Sequence, residues 1–122
     1  MPYGHTDDEW AETKHKLRAF LITKARNRSW VSYSQVVAQI GPIQFLPDDH
    51  GFHRMLDEVS VEEDEQKRGL LTVIVVHKDG DMRPGPGFFD LAARRGRKVV
   101  KTDTDKTWIS EMDTVVGYWK DH

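Results

Sequence analysis

Apolar side chains fall along this chain in five amphipathic stretches and one continuous run, and their spacing predicts an element for each. Trp10, Leu17, Phe20, Leu21 and Ala25 recur at intervals of three, four and seven, with Lys14, Lys16, Arg18, Lys24 and Arg26 between them, the repeat of a helix with one buried face. Thr6 with Glu9 three residues on forms a capping box at its start, and Asn27 is its expected end. Trp30 and Val31 read as a short extended link. Ser32 with Gln35 is a second capping box, for a short helix that buries Val36, Val37 and Ile40 and stops at Gly41-Pro42. Asp48 or Asp49 opens a third helix whose stripe is Phe52, Met55, Leu56 and Val59 and whose far side is acidic.

The run from Leu70 to Val76 is broken only by Thr72. Its uniform, β-branched character predicts a strand buried on both faces or beneath helices. Asp79-Gly80 is a turn signal. Phe88, Phe89, Leu91 and Ala92 begin a short helix that Gly96 ends, and Lys98 to Thr102 is the expected second strand, paired with the first. Thr104 or Asp105 caps a last helix in which Trp108, Met112, Val115 and Trp119 follow one another by four, three and four. Trp10 and Trp108 are expected to join the first and last helices, and Trp30, lying in a link, to remain partly exposed. The order describes an α+β, winged-helix-like single domain over residues 1–122, with extra N- and C-terminal helices packed on a small sheet.

At 122 residues the chain can build one core without staples. It has no cysteine, which excludes disulfides, thiol nucleophiles and thiolate metal sites and fits a cytoplasmic location. No apolar run approaches the ~18 residues of a membrane span, so no membrane partner is expected. Net charge is only -2, but its distribution is uneven. Residues 48–66 carry Asp48, Asp49, Asp57, Glu58, Glu62, Glu63, Asp64 and Glu65 against Arg54 alone; Lys67, Arg68, Lys78, Arg83, Arg94, Arg95, Arg97, Lys98 and Lys101 then dominate the stretch to residue 101.

The segment VSYSQVVAQIG, Val31 to Gly41, resembles the T-Y-G-E-I-A helix of the winged-helix domain of O6-alkylguanine alkyltransferases, and VVHKDG, Val75 to Gly80, is similar to the V-V-x-x-D-G that follows that family's active site. The resemblance spans residues 31–80 and implies a winged-helix fold. The family's Pro-Cys-His-Arg falls on Leu71, Thr72, Val73 and Ile74, so alkyl transfer to a thiol is impossible. The stretch VIVVHKDGDMRPGPGFFDLA also looks like a signature of a family of small uncharacterised bacterial proteins, a resemblance that implies no activity.

Four groups of residues are candidates for function. The acidic set Asp57, Glu58, Glu62, Glu63 and Glu65 suits a basic protein partner and is the wrong lining for a helix docked among phosphates. The basic set Arg83, Arg94, Arg95, Arg97, Lys98 and Lys101 could meet nucleic acid, although Arg94 and Arg95 would also complement the dipole of the helix that Gly96 ends. Gly85 and Gly87 precede a helix start where backbone N–H groups can receive an anion, though Pro84 and Pro86 offer none and no Walker pattern follows. His50 and His53 stand three apart and, with His77 and Asp79, make a candidate metal or acid-base group that lacks the His-Glu-x-x-His spacing. No Gly-x-Ser-x-Gly elbow accompanies Ser32, Ser34 or Ser60. These features point to a non-enzymatic interaction or regulatory module that needs no cofactor and binds a basic partner through its acidic helix. DNA binding through residues 83–101 and a small metal-dependent hydrolase are the alternatives.

Overall fold

The computed structural model describes residues 2–77, 83–100 and 102–122. Helix α1 spans Asp7–Arg26, and both halves of its capping box form: the Glu9 N–H donates to Thr6 Oγ1 at 3.1 Å and the Thr6 N–H to Glu9 Oε1 at 3.0 Å. Strand β1, Val31–Ser32, passes directly into α2, Tyr33–Gln39, where the Ser32–Gln35 box also closes. Helix α3 is His50–Glu65. Asp49 holds its N-cap position but turns its carboxylate back onto the Leu46 N–H at 2.7 Å. Strand β2 is Val75–Val76, α4 is Pro86–Arg94 and α5 is Thr104–Trp119. The fold is therefore α+β and mostly helical. No described helix is long and apolar enough to cross a membrane.

The apolar run does not form the expected strand. Every residue from Leu70 to Val76 is buried, but Leu71–Ile74 coil into a 3-10 turn that packs against α1, α3 and α5. The reason lies in the backbone. A strand wrapped by helices has no neighbour to take its N–H and C=O groups, and a buried amide must find a partner. The turn supplies some of these within itself, as in Val73 N–H to Leu70 C=O at 3.0 Å. Side chains supply others: the Leu70 N–H donates to Glu111 Oε2 at 2.8 Å, the Thr72 N–H to Ser60 Oγ at 3.0 Å, and the Trp108 indole to the Val73 C=O at 3.3 Å.

The sheet also differs from expectation. β2 pairs in parallel with β1, Val31 beside Val75 and Ser32 beside Val76, with α2 and α3 forming the long crossover that parallel pairing needs. Val31, read as part of a link, and Ser32, read as the cap of the next helix, are thus half of the sheet. Lys98–Val100 form no strand; the Lys98 C=O accepts from Thr107 Oγ1 at 3.3 Å, tying that segment to α5. The hairpin wing expected from Leu70–Val76 and Lys98–Thr102 is therefore not formed among the described residues. The Asp79-Gly80 turn lies outside them, and at its border the His77 N–H meets the Arg83 C=O at 2.9 Å. The first and last helices do pack together, but not through Trp10 and Trp108. Trp10 stacks on Tyr3 and donates to Glu58 Oε1 at 2.8 Å, while Trp108 stacks with Trp30.

Three helices end alike, each with a residue of positive φ and a pair of backbone bonds that close the last turn. Gly96 does this for α4 at φ +87°. Arg28 at φ +54° and Lys67 at φ +61° do it for α1 and α3 with side chains that disfavour the conformation. Lys67→Gly should accordingly stabilise the protein by about 0.5–1 kcal/mol, and Gly96→Ala should destabilise it by about 1 kcal/mol, both read by urea denaturation.

Candidate functional site

The acidic and basic segments meet each other inside the molecule. Glu63, expected on the exposed side of α3, is 1% exposed. It receives Arg68 Nε and Nη2 at 2.9 and 2.7 Å, with Arg18 Nε at 3.4 Å. Asp64 takes Arg95 at 3.0 Å and both terminal nitrogens of Arg97 at 2.8 and 2.7 Å. Arg97 also donates to Glu111, at 2.9 and 3.0 Å, and Glu111 is 4% exposed. Both buried carboxylates continue an apolar stripe. Glu63 is four residues beyond Val59 on α3, and Glu111 is four before Val115 on α5, so helical spacing already put each on the inner face. A charge at such a position is a sign of a paired interior ion, and neither was assigned that role from the sequence.

The rest of the acidic set is more open. Lys14 reaches Glu58 and Glu62 at 3.1 and 2.8 Å, Arg18 also hydrogen-bonds Glu62, and Arg54 reaches Glu58 at 3.0 Å. Burial alone would raise the pKa of Glu58 and Glu62, but the hydrogen bonds from Trp10, Arg54 and Lys14, and from Lys14 and Arg18, bring both below the usual value. Asp57 differs. Burial pushes its carboxyl up against the opposing pull of Arg94, His53 and Arg54, and its ion pair with Arg94 is long, at 3.8 Å. Glu65 is exposed, with no ion pair among the described residues.

Asp57, Glu58, Glu62 and Glu65 line one groove between α3 and α4, about 350 Å³ in volume, which Arg54, Val61, Leu91 and Arg94 complete. Asp57 also lines a second cavity of about 230 Å³ at the start of α4. This cleft is walled by Tyr33, His53, His77 and Phe88 over Leu56, Thr72 and Val75. Tyr33 lies between the imidazoles, 5.6 Å from His53 and 4.8 Å from His77 between ring centroids, and burial raises its phenol pKa. Its hydroxyl accepts the Gly85 N–H at 3.0 Å, so that amide is already engaged and only Gly87 of the expected anion loop is left exposed. A Cβ at Gly85 would stand 3.0 Å from His77 Nε2 and 3.4 Å from the Tyr33 hydroxyl, so Gly85 is the residue that allows this close approach.

The remaining candidates are dispersed. Arg83 pairs with Asp105 at 2.8 Å and hydrogen-bonds Thr104, at the first turn of α5. Arg94 and Lys98 are exposed. Lys101 and Asp79 lie outside the described residues. Of the histidines, His53 and His77 do converge, on Tyr33, while His50 is exposed and His53 also contacts the Pro47 C=O at 2.9 Å. No group of three or more His, Cys, Asp or Glu placed to hold a metal occurs among the described residues. The chain matches no protein-family model, no curated protein and no solved structure.

Glu63→Gln leaves Arg68 and Arg18 facing an uncharged amide, and should cost roughly 3 kcal/mol in urea denaturation. Two aspartates give opposite pH responses. The hydrogen bond from Arg97 leads the interactions that hold Asp64 below the usual range. Its stabilisation is present above the unfolded-state value of about 4 and is lost as pH falls through the lower folded value. Asp57, raised, carries a cost in its ionised form, so Asp57→Asn should raise the thermal midpoint at neutral pH. That gain should shrink once pH falls below the raised Asp57 value, as melts across acid to neutral pH would show.

Proposed function

We propose that the protein is a non-enzymatic interaction module that receives a cationic segment of a partner protein in the groove between α3 and α4. One observation carries this reading: four carboxylates of α3 line a single groove around the apolar Val61 and Leu91. Lysine and arginine suit such a surface, since their methylene stems lie on apolar atoms while the charged head reaches a carboxylate. Lys14 and Arg18 hold Glu58 and Glu62. The charge that remains to recruit a partner is therefore mainly that of Asp57 and Glu65. A cytoplasmic setting belongs to the same proposal and rests on the cysteine-free composition.

DNA binding is the second reading. It rests on the basic residues of 83–101 meeting phosphates, and not on α3, whose carboxylates are the wrong lining for them. Of that set Arg94 and Lys98 are exposed.

Fluorescence anisotropy with a labelled Lys/Arg-rich peptide, an acidic peptide of equal length and a DNA duplex, at low and physiological salt, separates the two. Binding of the cationic peptide alone is expected, weakened by salt and, for Asp57→Asn or Glu65→Gln, by roughly three- to tenfold. Absence of peptide binding at low salt would overturn the proposal. Salt-sensitive duplex binding that charge reversal at Arg94 and Lys98 diminishes would put the DNA reading in its place.

A further inference from the structure

On the side of α5 that carries Trp30, a cavity of about 390 Å³ is lined by Trp30, Met112, Asp113, Val116, Gly117 and Lys120, together with Arg28 and Ser29. Three features mark this surface. Trp30 stacks one face on Trp108, at 5.6 Å and 24°, yet is 51% exposed. Gly117 sits inside α5, where glycine weakens a helix, and a Cβ at that position would meet nothing within 4 Å. Asp113 and Lys120 are both exposed, and neither has an ion pair among the described residues, unlike most charges of α3. Seven residues apart, they share a helix face but stand about 10 Å from one another along the axis, too far to pair within the same helix.

These features fit one occupant, a second copy of the same helix. Turning one copy end over end about the point between Val116 and Gly117 sets Asp113 against Lys120 of the second copy, and Lys120 against its Asp113. The same rotation places each Val116 opposite the other Gly117, where the missing side chain lets two helices approach closely. A single face thereby complements itself in charge and in shape, as a two-fold interface requires.

We propose that the chain associates into a two-fold dimer through antiparallel α5 helices centred between Val116 and Gly117, with Asp113–Lys120 pairs at either end and Trp30 covered at the margin. The contact is small, and its association is correspondingly weak. It lies apart from the α3–α4 groove and does not depend on the reading given for that groove.

Sedimentation equilibrium over a range of protein concentrations tests it on the full chain. The unaltered protein should pass from monomer to dimer as concentration rises. Asp113→Lys or Lys120→Asp alone turns two attractive pairs into two repulsive ones and should raise the dissociation constant about tenfold. The double exchange, Asp113→Lys with Lys120→Asp, restores the pairing in reverse and should recover the dimer. Val116→Arg, at a half-exposed position, should abolish it, with circular dichroism melts confirming that each variant is folded. A protein that stays monomeric up to about 1 mM would overturn the proposal. A dimer indifferent to the single exchanges, or one the double exchange fails to recover, would also overturn it.

Discussion

A buried carboxylate at one end of a buried peptide segment is the constraint on which much of this structure depends. The chain from Leu70 to Ile74 runs through the middle of the molecule without a sheet to receive it, so its amides must be met by side chains or by the turn itself. Glu111 meets the first of them, Leu70 N–H, and a carboxylate in that position must itself be balanced. Arg97 balances it and, through its other donors, also holds Asp64. One guanidinium thus joins α5, the end of α3 and the segment after α4. Ser60 and Thr72, 2.6 Å apart and both buried, make a second polar contact between α3 and the same turn.

This arrangement changes the meaning of the charge segregation. An acidic stretch followed by a basic one reads first as two surfaces for two outside partners. Here much of the charge is spent internally, Glu63 on Arg68 and Arg18, Asp64 on Arg95 and Arg97. Planar guanidinium groups suit the task because each offers several donors in a fixed fork. The carboxylates that stay open, Asp57 and Glu65, are those whose helical positions turn them away from the stripe of Phe52, Met55, Val59 and Glu63. Function through charge therefore narrows from a helix face to a groove lined by α3 and α4.

In the neighbouring cavity that Asp57 also lines, local sequence and tertiary contact meet in Tyr33. The Ser32–Gln35 capping box starts α2 and so places Tyr33 in its first turn, where its ring meets His53 of α3 and His77 beyond β2. Gly85 then closes against the hydroxyl because it has no side chain to keep the α4 entry at a distance. Thr72 lines this cleft together with Tyr33. Its hydroxyl is engaged with Ser60, which gives it a structural contact in the core.

By itself the sequence determined what depends on near neighbours. The boxes at Thr6 and Ser32, the stripes of α1 and α3, the glycine that ends α4 and the burial of Leu70–Val76 all follow from side chains within a few residues, because capping and periodicity act over one or two turns. Only the tertiary structure decided whether the apolar run would be a strand or a coil, since that turns on what stands beside its backbone. It likewise decided that Val31, and not Lys98–Val100, would pair with Val75, and that α3 and the segment after α4 would neutralise each other. The grooves were beyond reach of the sequence for the same reason: His53 and His77, or Asp57 and Leu91, become neighbours only when distant segments pack, and no local pattern encodes that approach.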